Sequence, residues 1–455
     1  MLDVLFAADR NRRAKFACRI CGQHGGLHLL DAVTPGRTFE LFECPGCGSF
    51  FFDGADPALR YTEMEMRDEL WLDYVQAGAG ISNMLTPLFA FDLAPYRSLL
   101  DSGCGFGFVV DFWASRGGKA TGLEPSNYGE IGSEKLGIDV RSQYLDEFLS
   151  ENREARFDIV YSSEVIEHTP DPDAYAGSLV EAVTDNGVIV VTTPAISAIH
   201  ANADVGAMIA ALSPGFHFGI ISPEALKGFF TRRGLYCRVL EHENQTLCWA
   251  SRKPLPAIDP SKFSWRDYFN YLETLSGNEN PHLSAGALSR LFKDALNTGD
   301  EAWAAAAYDR LTRVALDYYG LDLENPEIGA LLEMRKPLSG LNRFPSWLGG
   351  ALLFGGLHVG HSRNDRRTKL RMLDAALKVL ARRADVDRQF GQEAMHFLPF
   401  AERQYVIALS EALTVSLCSA EGTSEGDLRH TLKGLTSVLD QFLAAPSELT
   451  VHDAR

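Results

Sequence analysis

The sequence predicts an α/β domain on a mainly parallel sheet, preceded by a small metal-stapled module and followed by an all-α segment. Three observations carry this. Short buried strands alternate with helices between residues 98 and 253, two CxxC pairs fall within the first 55 residues, and only helix-period segments follow residue 261. At 455 residues, with ~150 residues to an ordinary domain, two to four domains are expected. A composition of 46% apolar and 23% charged residues excludes a disordered or fibrous chain.

Residues 1–260 hold 35 acidic against 21 basic side chains and the remainder 25 against 22, so the net charge of −17 sits mostly in the first part. That balance opposes phosphate-backbone binding, which makes nucleic acid an improbable partner. No apolar run reaches the ~20 residues of a bilayer span; the nearest, Phe344 to His358, is short and carries four glycines. Charged residues follow Ala8 at once, where a signal peptide would be apolar, so the expected compartment is the cytoplasm. Reducing conditions there favour metal binding over disulfides.

Residues 1–55 read as a zinc-binding ribbon. Cys18-Arg-Ile-Cys21-Gly and Cys44-Pro-Gly-Cys47-Gly stand 22 residues apart. Two thiolates two residues apart reach one ion from a tight turn, and two such turns close the tetrahedral shell that zinc prefers. A closed shell leaves no position for substrate, so the expected zinc is structural. His24 and His28 are the alternative ligands. Arg37 to Phe42 is β-like and precedes the aromatic string Phe50 to Phe52. Residues 56–97 read as a helical linker or lid, with Met64, Leu70, Trp71, Tyr74 and Val75 on a 3.6-residue period before Pro87 and Pro95.

Within 98–253, strands are expected at Ser98–Asp101, Ala120–Glu124, Phe157–Ser162 and Val188–Thr192, and helices at Phe108–Arg116 and Pro172–Ala182. Tyr236–Leu240 and Thr246–Ala250 close the domain as a hairpin. Pro254, Pro256 and Pro260 mark a linker, and 254–455 reads as that linker plus helices near 284–297, 300–318, 368–384, 390–418 and 425–444. No period recurs three times, so the expectation is a helical bundle and not a solenoid. Its expected role is docking of a protein partner or self-association. The basic run Arg363, Arg366, Arg367, Lys369 and Arg371 reads as a solvated helix face, and Cys104, Cys237, Cys248 and Cys418 as small buried hydrophobes.

Leu99 to Gly107 runs from a buried strand into an amphipathic helix. Its Asp101-Ser-Gly103-Cys-Gly105-Phe-Gly107 removes side chains where a ligand must approach the backbone. The spacing is GxGxG, not the GxGxxG of nicotinamide proteins. Glu124 ends the next strand, where a carboxylate can take both ribose hydroxyls of a nucleoside.

These stretches, with Phe157-Asp-Ile-Val-Tyr161 and Ser163-Glu-Val-Ile-Glu-His168-Thr-Pro-Asp-Pro172, resemble the class I S-adenosylmethionine-dependent methyltransferases over residues 98–253, closest in phrasing to the small-molecule and ubiquinone-type branch. The resemblance implies a Rossmann-like sheet and S-adenosyl-L-methionine as cofactor. It also implies that Asp101, Gly103, Gly105 and Gly107 form the methionine-side loop, that Glu124 holds the ribose, that Tyr144, Leu145 and Asp146 lie near adenine, and that Ser163 and Glu164 border the reacting centre. Asp146 and Glu147 both qualify as the acid at the adenine amine. Ser102 departs from the usual apolar residue.

In-line transfer from a sulfonium needs alignment, and a hydroxyl acceptor must also lose its proton. His168, just past the strand ending at Ser162, and His217, in the loop Ser213 to Gly219 between the strand at Val188–Thr192 and the closing hairpin, are the candidate bases. Glu167 reads as a solvated or helix-dipole partner. A cysteine module before such a domain is similar in architecture to bacterial sugar methyltransferases. The expected substrate is therefore a small molecule or saccharide carrying a hydroxyl, free or carrier-linked. Sugar C-methylation, RNA base methylation and a non-catalytic cofactor-binding scaffold are the alternatives.

Overall fold

The computed structural model describes residues 3–34, 36–53, 68–203, 205–333, 340–341, 343–390 and 398–418. The chain divides into two compact units, one of residues 1–67 and 80–271, the other of 68–79 and 272–455. Met64 and the helix expected at 425–444 lie outside the described residues.

The first unit contains two sheets. Strands β1 (Asp3–Phe6), β2 (Leu27–Thr34), β3 (Arg37–Glu43) and β4 (Phe50–Phe52) form an antiparallel sheet. Alternation along β2 sends Leu30 and Ala32 inward to a cluster with Leu41 and Phe52. The sequence reading confined this module to residues 1–55. The structure corrects that, because its fifth strand is β10 (Gly219–Ile220), supplied from far along the chain and paired antiparallel with β4.

The second sheet has the order β11-β12-β9-β8-β5-β6-β7. Its strands are β5 (Ser98–Ser102), β6 (Lys119–Leu123), β7 (Val140–Arg141), β8 (Phe157–Ser163), β9 (Val183–Pro194), β11 (Tyr236–His242) and β12 (Gln245–Ser251). β5, β6, β7, β8 and β9 run parallel, while β12 runs antiparallel to β9. Parallel strands are covered on both faces, which explains the unbroken apolar run Val188–Val191. The chain winds outward through β6 and β7, then returns to place β8 on the other side of β5. The strand order therefore reverses between β5 and β8, where open α/β sheets bind ligands.

Helices α1 (Asp68–Gln76) and α2 (Ile81–Phe89) follow the N-terminal sheet; α1 belongs to the second unit and α2 to the first. Trp249 Nε1 and Tyr161 Oη donate to the carbonyls of Pro87 and Met84, fixing α2 on the sheet. The crossovers are α3 (Phe108–Ser115), α4 (Asn127–Leu136), α5 (Leu145–Glu151), α6 (Pro172–Ala182), α7 (Val205–Leu212) and α8 (Pro223–Thr231). Pro172 and Pro223 occupy first helical turns behind the capping side chains of Asp171 and Ser222. α9 (Trp265–Leu275) carries the chain across the unit boundary.

The second unit pairs α10 (Pro281–Thr298) with α11 (Glu301–Tyr319), and α14 (Arg366–Phe390) with α13 (Leu348–Ser362) and α15 (Leu398–Cys418); α12 (Gly329–Leu332) is a single turn. α13 takes up most of the apolar run noted above as nearest to a membrane span, and it is a buried core helix. Among the described residues no helix is long and apolar enough to cross a membrane.

Close approach between α4 and the glycine loop depends on Gly132, where an added Cβ would lie 2.0 Å from the Phe106 carbonyl oxygen. In an unconstrained helix Gly→Ala stabilises by about 0.5–1 kcal/mol. Here Gly132→Ala is expected to destabilise by about 1–3 kcal/mol through overpacking. Urea unfolding decides the sign, and a raised midpoint would refute the close packing.

Candidate active site

The loop after β5 turns under Leu123, whose carbonyl accepts from the amides of Gly103 and Cys104 at 2.8 and 3.0 Å. Gly103, Gly105 and Gly107 all have positive φ, at 77°, 54° and 91°. At Gly103 and Gly107 an added Cβ would also come within 2.4 Å of Val165 and Ile138; at Gly105 the nearest neighbour would be the Tyr128 ring at 3.7 Å. Glycine at 103 and 107 thus serves both conformation and packing, whereas at 105 the space above the backbone is kept open.

Glu124 is buried at the end of β6. One carboxylate oxygen accepts from the Gly105 amide at 3.0 Å and the other from the amide and hydroxyl of Ser126 at 3.1 and 2.7 Å. The nucleoside-directed acid and the glycine loop are thereby one hydrogen-bonded unit. Asp101 is buried at the strand end, and burial followed by the charge of Glu124 raises its pKa well above the carboxylate range. Tyr144 caps α5, its amide donating to Glu147, so Glu147 is engaged in capping. Tyr144 and Asp146 are exposed, while Leu145 points into the core.

The end of β8 carries the densest chemistry. Ser163 Oγ lies 2.7 Å from Thr192 Oγ1 on β9. Glu164 has φ 56°, a left-handed backbone that a non-glycine residue adopts at a cost of order 1–3 kcal/mol. It is held by its amide donating to the Thr192 carbonyl and by its carboxylate accepting from Thr192 and Gln245 at 3.1 and 3.0 Å. Burial pushes its pKa up to about 7.

Glu167, His168 and His217 converge beside it. Glu167 is 1% exposed, which corrects its reading as a solvated residue. One of its oxygens accepts from Thr193 Oγ1 at 3.0 Å, and Oε1 has no hydrogen-bond partner. Burial, then the charge of Glu164, raises its pKa well above the usual range. His168 Nδ1 faces the Phe216 carbonyl at 3.1 Å and His217 Nδ1 the Ala211 carbonyl at 2.9 Å, so each Nδ1 carries the proton. The rings lie 4.5 Å apart, and burial holds both neutral, His168 at about 4 and His217 at about 3.

Sequence reasoning placed His168 and His217 in different segments without predicting their contact. It missed Glu167, Thr192, Thr193, Gln245 and Tyr175. The legible signal was the pair Thr192-Thr193 directly after the apolar run Val188–Val191. Tyr175 Oη donates to Ser102 Oγ at 2.8 Å and lies 2.9 Å from Ser162 Oγ, tying α6 to the ends of β5 and β8.

At the N-terminal module, Cys18, Cys21, Cys44 and Cys47 offer sulfurs that all lie within 4.8 Å of one another. Cys18 and Cys47 are 3.8 Å apart and Cys21 and Cys44 3.5 Å. A tetrahedron with metal–sulfur bonds of ~2.3 Å has an edge of ~3.8 Å, so the donor set fits such an ion. Disulfides would need ~2.05 Å.

Glycine loop, strand-end acid and the reversal between β5 and β8 define a Rossmann-like methyltransferase fold, and residues 75–240 match the family model described as a methyltransferase domain. Among curated proteins, the chain is similar to ubiquinone biosynthesis O-methyltransferases. That of Bradyrhizobium sp. is 34% identical over 166 residues, 35% of this chain and 64% of the relative. That of Rhodopseudomonas palustris is 37% identical over 101 residues, 21% and 39%. The chain spans about two fifths to two thirds of the length of these relatives. Solved structures that align include a SAM-dependent methyltransferase from Archaeoglobus fulgidus, at 16% identity and TM-score 0.31 over 37% of this chain and 92% of that one. An O-methyltransferase family protein from Burkholderia thailandensis aligns at 14% and 0.33 over 41% and 61%.

Removing the Tyr175 hydroxyl leaves the Ser102 and Ser162 hydroxyls short of a buried partner. Tyr175→Phe is therefore expected to cost about 1–3 kcal/mol, measured by chemical unfolding; a change below a few tenths would refute the bridge.

Proposed function

We propose that the protein transfers a methyl group from S-adenosyl-L-methionine to a hydroxyl of a small hydroxylated substrate. The observation that carries this reading is the joined unit of Gly105 and Glu124 beside the point where the strand order reverses. When bound, the cofactor supplies a methyl already activated on a sulfonium, so the chain's work is alignment and desolvation. Gly103, Gly105 and Gly107 would present bare backbone to its methionine side, and Glu124 would exchange its Gly105 and Ser126 contacts for ribose hydroxyls. Tyr144 and Asp146, at the exposed start of α5, would border adenine, with Leu145 supporting them from beneath. Asp101, Ser163 and Glu164 would shape the wall around the reacting centre.

The acceptor's proton would be withdrawn at the cluster of His168 and His217, whose rings are kept neutral at ordinary pH by burial. For the substrate, the module of Cys18, Cys21, Cys44 and Cys47 supports a saccharide hydroxyl. The relatives named for ubiquinone biosynthesis support a ring hydroxyl as the second reading. Assay against both classes separates them.

Gly105→Arg would fill the open space and is expected to abolish binding of S-adenosylhomocysteine in calorimetry while the circular dichroism spectrum stays unchanged. Retained affinity would refute the glycine-loop assignment.

We further propose that the cysteine cluster holds a structural zinc. β10 completes that module's sheet, so chelation should remove amide-exchange protection from both 27–52 and 219–222. Protection at Asp101 to Gly107 should persist. Unaltered exchange after zinc removal would refute the role.

A further inference from the structure

We propose that Glu167, His168 and His217 hold a divalent transition-metal ion of the Zn²⁺ or Co²⁺ type. One ligand atom from each residue lies within 4.8 Å of the others, and among the described residues this is the other such group besides the cysteine cluster. Glu167 Oε1 is buried without a hydrogen-bond partner. An unpaired buried carboxylate oxygen is costly, and a cation removes that cost. Both histidines also turn Nδ1 to a backbone carbonyl, Phe216 at 3.1 Å and Ala211 at 2.9 Å. Metal-ligating histidines are oriented this way, and the resulting tautomer leaves the lone pair on Nε2. Thr193 Oγ1, at 3.0 Å, orients the carboxylate from behind.

Two imidazoles and one carboxylate form a borderline donor set that suits first-row transition ions better than magnesium or calcium, which favour all-oxygen shells. Three protein ligands leave coordination positions open. The role of the ion rests on the hydroxyl-methylation reading. It would take the acceptor oxygen and lower its pKa. With the ion bound, His168 and His217 act as its ligands and not as the direct proton acceptors: the O–H proton passes to water, the electron pair kept on oxygen forms the O–C bond, and the C–S pair returns to sulfur, converting sulfonium to thioether.

The test uses the full chain. After equilibration with Zn²⁺ and desalting, elemental mass spectrometry is expected to find one zinc more in the wild type than in folded Glu167→Gln or His217→Asn. Because buried substitutions can unfold a protein, wild type with its cysteine cluster zinc-filled is also titrated with Co²⁺ alone. Weak visible bands without thiolate charge transfer are the expected result. Thr193→Val should weaken that cobalt binding about 10–100-fold. Equal zinc in wild type and folded variants, no cobalt uptake, or a purely thiolate spectrum would overturn the site. S-adenosylhomocysteine binding on the same samples tests the methyl-transfer reading separately. Its absence in wild type would sink that reading and leave the metal count standing.

Discussion

Phe218 joins the two sheets of the first unit through its own peptide groups. Its amide donates to the Glu167 carbonyl at 2.9 Å, and its carbonyl accepts from the Phe52 amide at 3.3 Å. One residue therefore links the cysteine module to the turn that follows β8. Nearby, Ser222 extends the connection, with its hydroxyl donating to the Cys47 carbonyl and its amide donating to Ser49 Oγ. The same hydroxyl caps α8, accepting from the Ala225 amide at 3.1 Å. His217 directly precedes the first of these anchors. The cysteine module is thus not an appendage that happens to precede the domain; whatever steadies its sheet also steadies the loop that presents an imidazole to the candidate active site.

Acidic groups concentrate where parallel strands end. Asp101, Glu124 and Glu167 are buried, and Glu164 half-buried, at the carboxyl edge of β5, β6 and β8. Burial favours the neutral forms of Asp101, Glu164 and Glu167, and the charge of Glu124 adds to the effect at Asp101, as that of Glu164 does at Glu167. Such an edge is expensive to fold. The left-handed backbone of Glu164 adds strain at the same point, and bonds from Thr192 and Gln245 hold it in place. Strain and buried acids that do not improve stability are found together where a fold is shaped for a ligand.

The central strands were legible because a buried parallel strand writes itself as an apolar run with a polar end: Leu99-Leu100-Asp101, Ile159 to Ser163 and Val188 to Thr193 all follow this rule. The glycine loop was legible through residue type, since positive φ at 103, 105 and 107 selects glycine. β10 was not, because two residues, Gly219 and Ile220, carry no periodicity and acquire their strand only by pairing with β4. Glu167 failed for a related reason. A carboxylate in a polar phrase looks solvated until tertiary packing closes over it, and only Phe218 and Thr193, remote in sequence, reveal that it is buried. α13 was hidden by its five glycines, yet Gly355 and Gly356 are what admit Met372 and Leu373 of α14 to close contact.

The helical unit shows how a short early segment can belong to a late one. α1 lies far ahead of the other helices in sequence, but Gln76 is a buried polar hub within their unit. It bonds His282 Nδ1 at 2.9 Å and the Leu341 carbonyl at 3.2 Å through its nitrogen, and accepts from the Ser346 amide at 2.8 Å through its oxygen. Asp73, one turn earlier, is paired with Arg383 of α14 and bonded by Ser346. Gly286 on α10 permits this seating, because a side chain there would strike the Val75 carbonyl. An uncapped amide side chain and an unpaired buried carboxylate each cost more than a lost surface contact. A chain cut after the hairpin would therefore leave α1 with its most demanding groups unsatisfied, so α10, α14 and the segment around Ser346 are a condition of α1's fold.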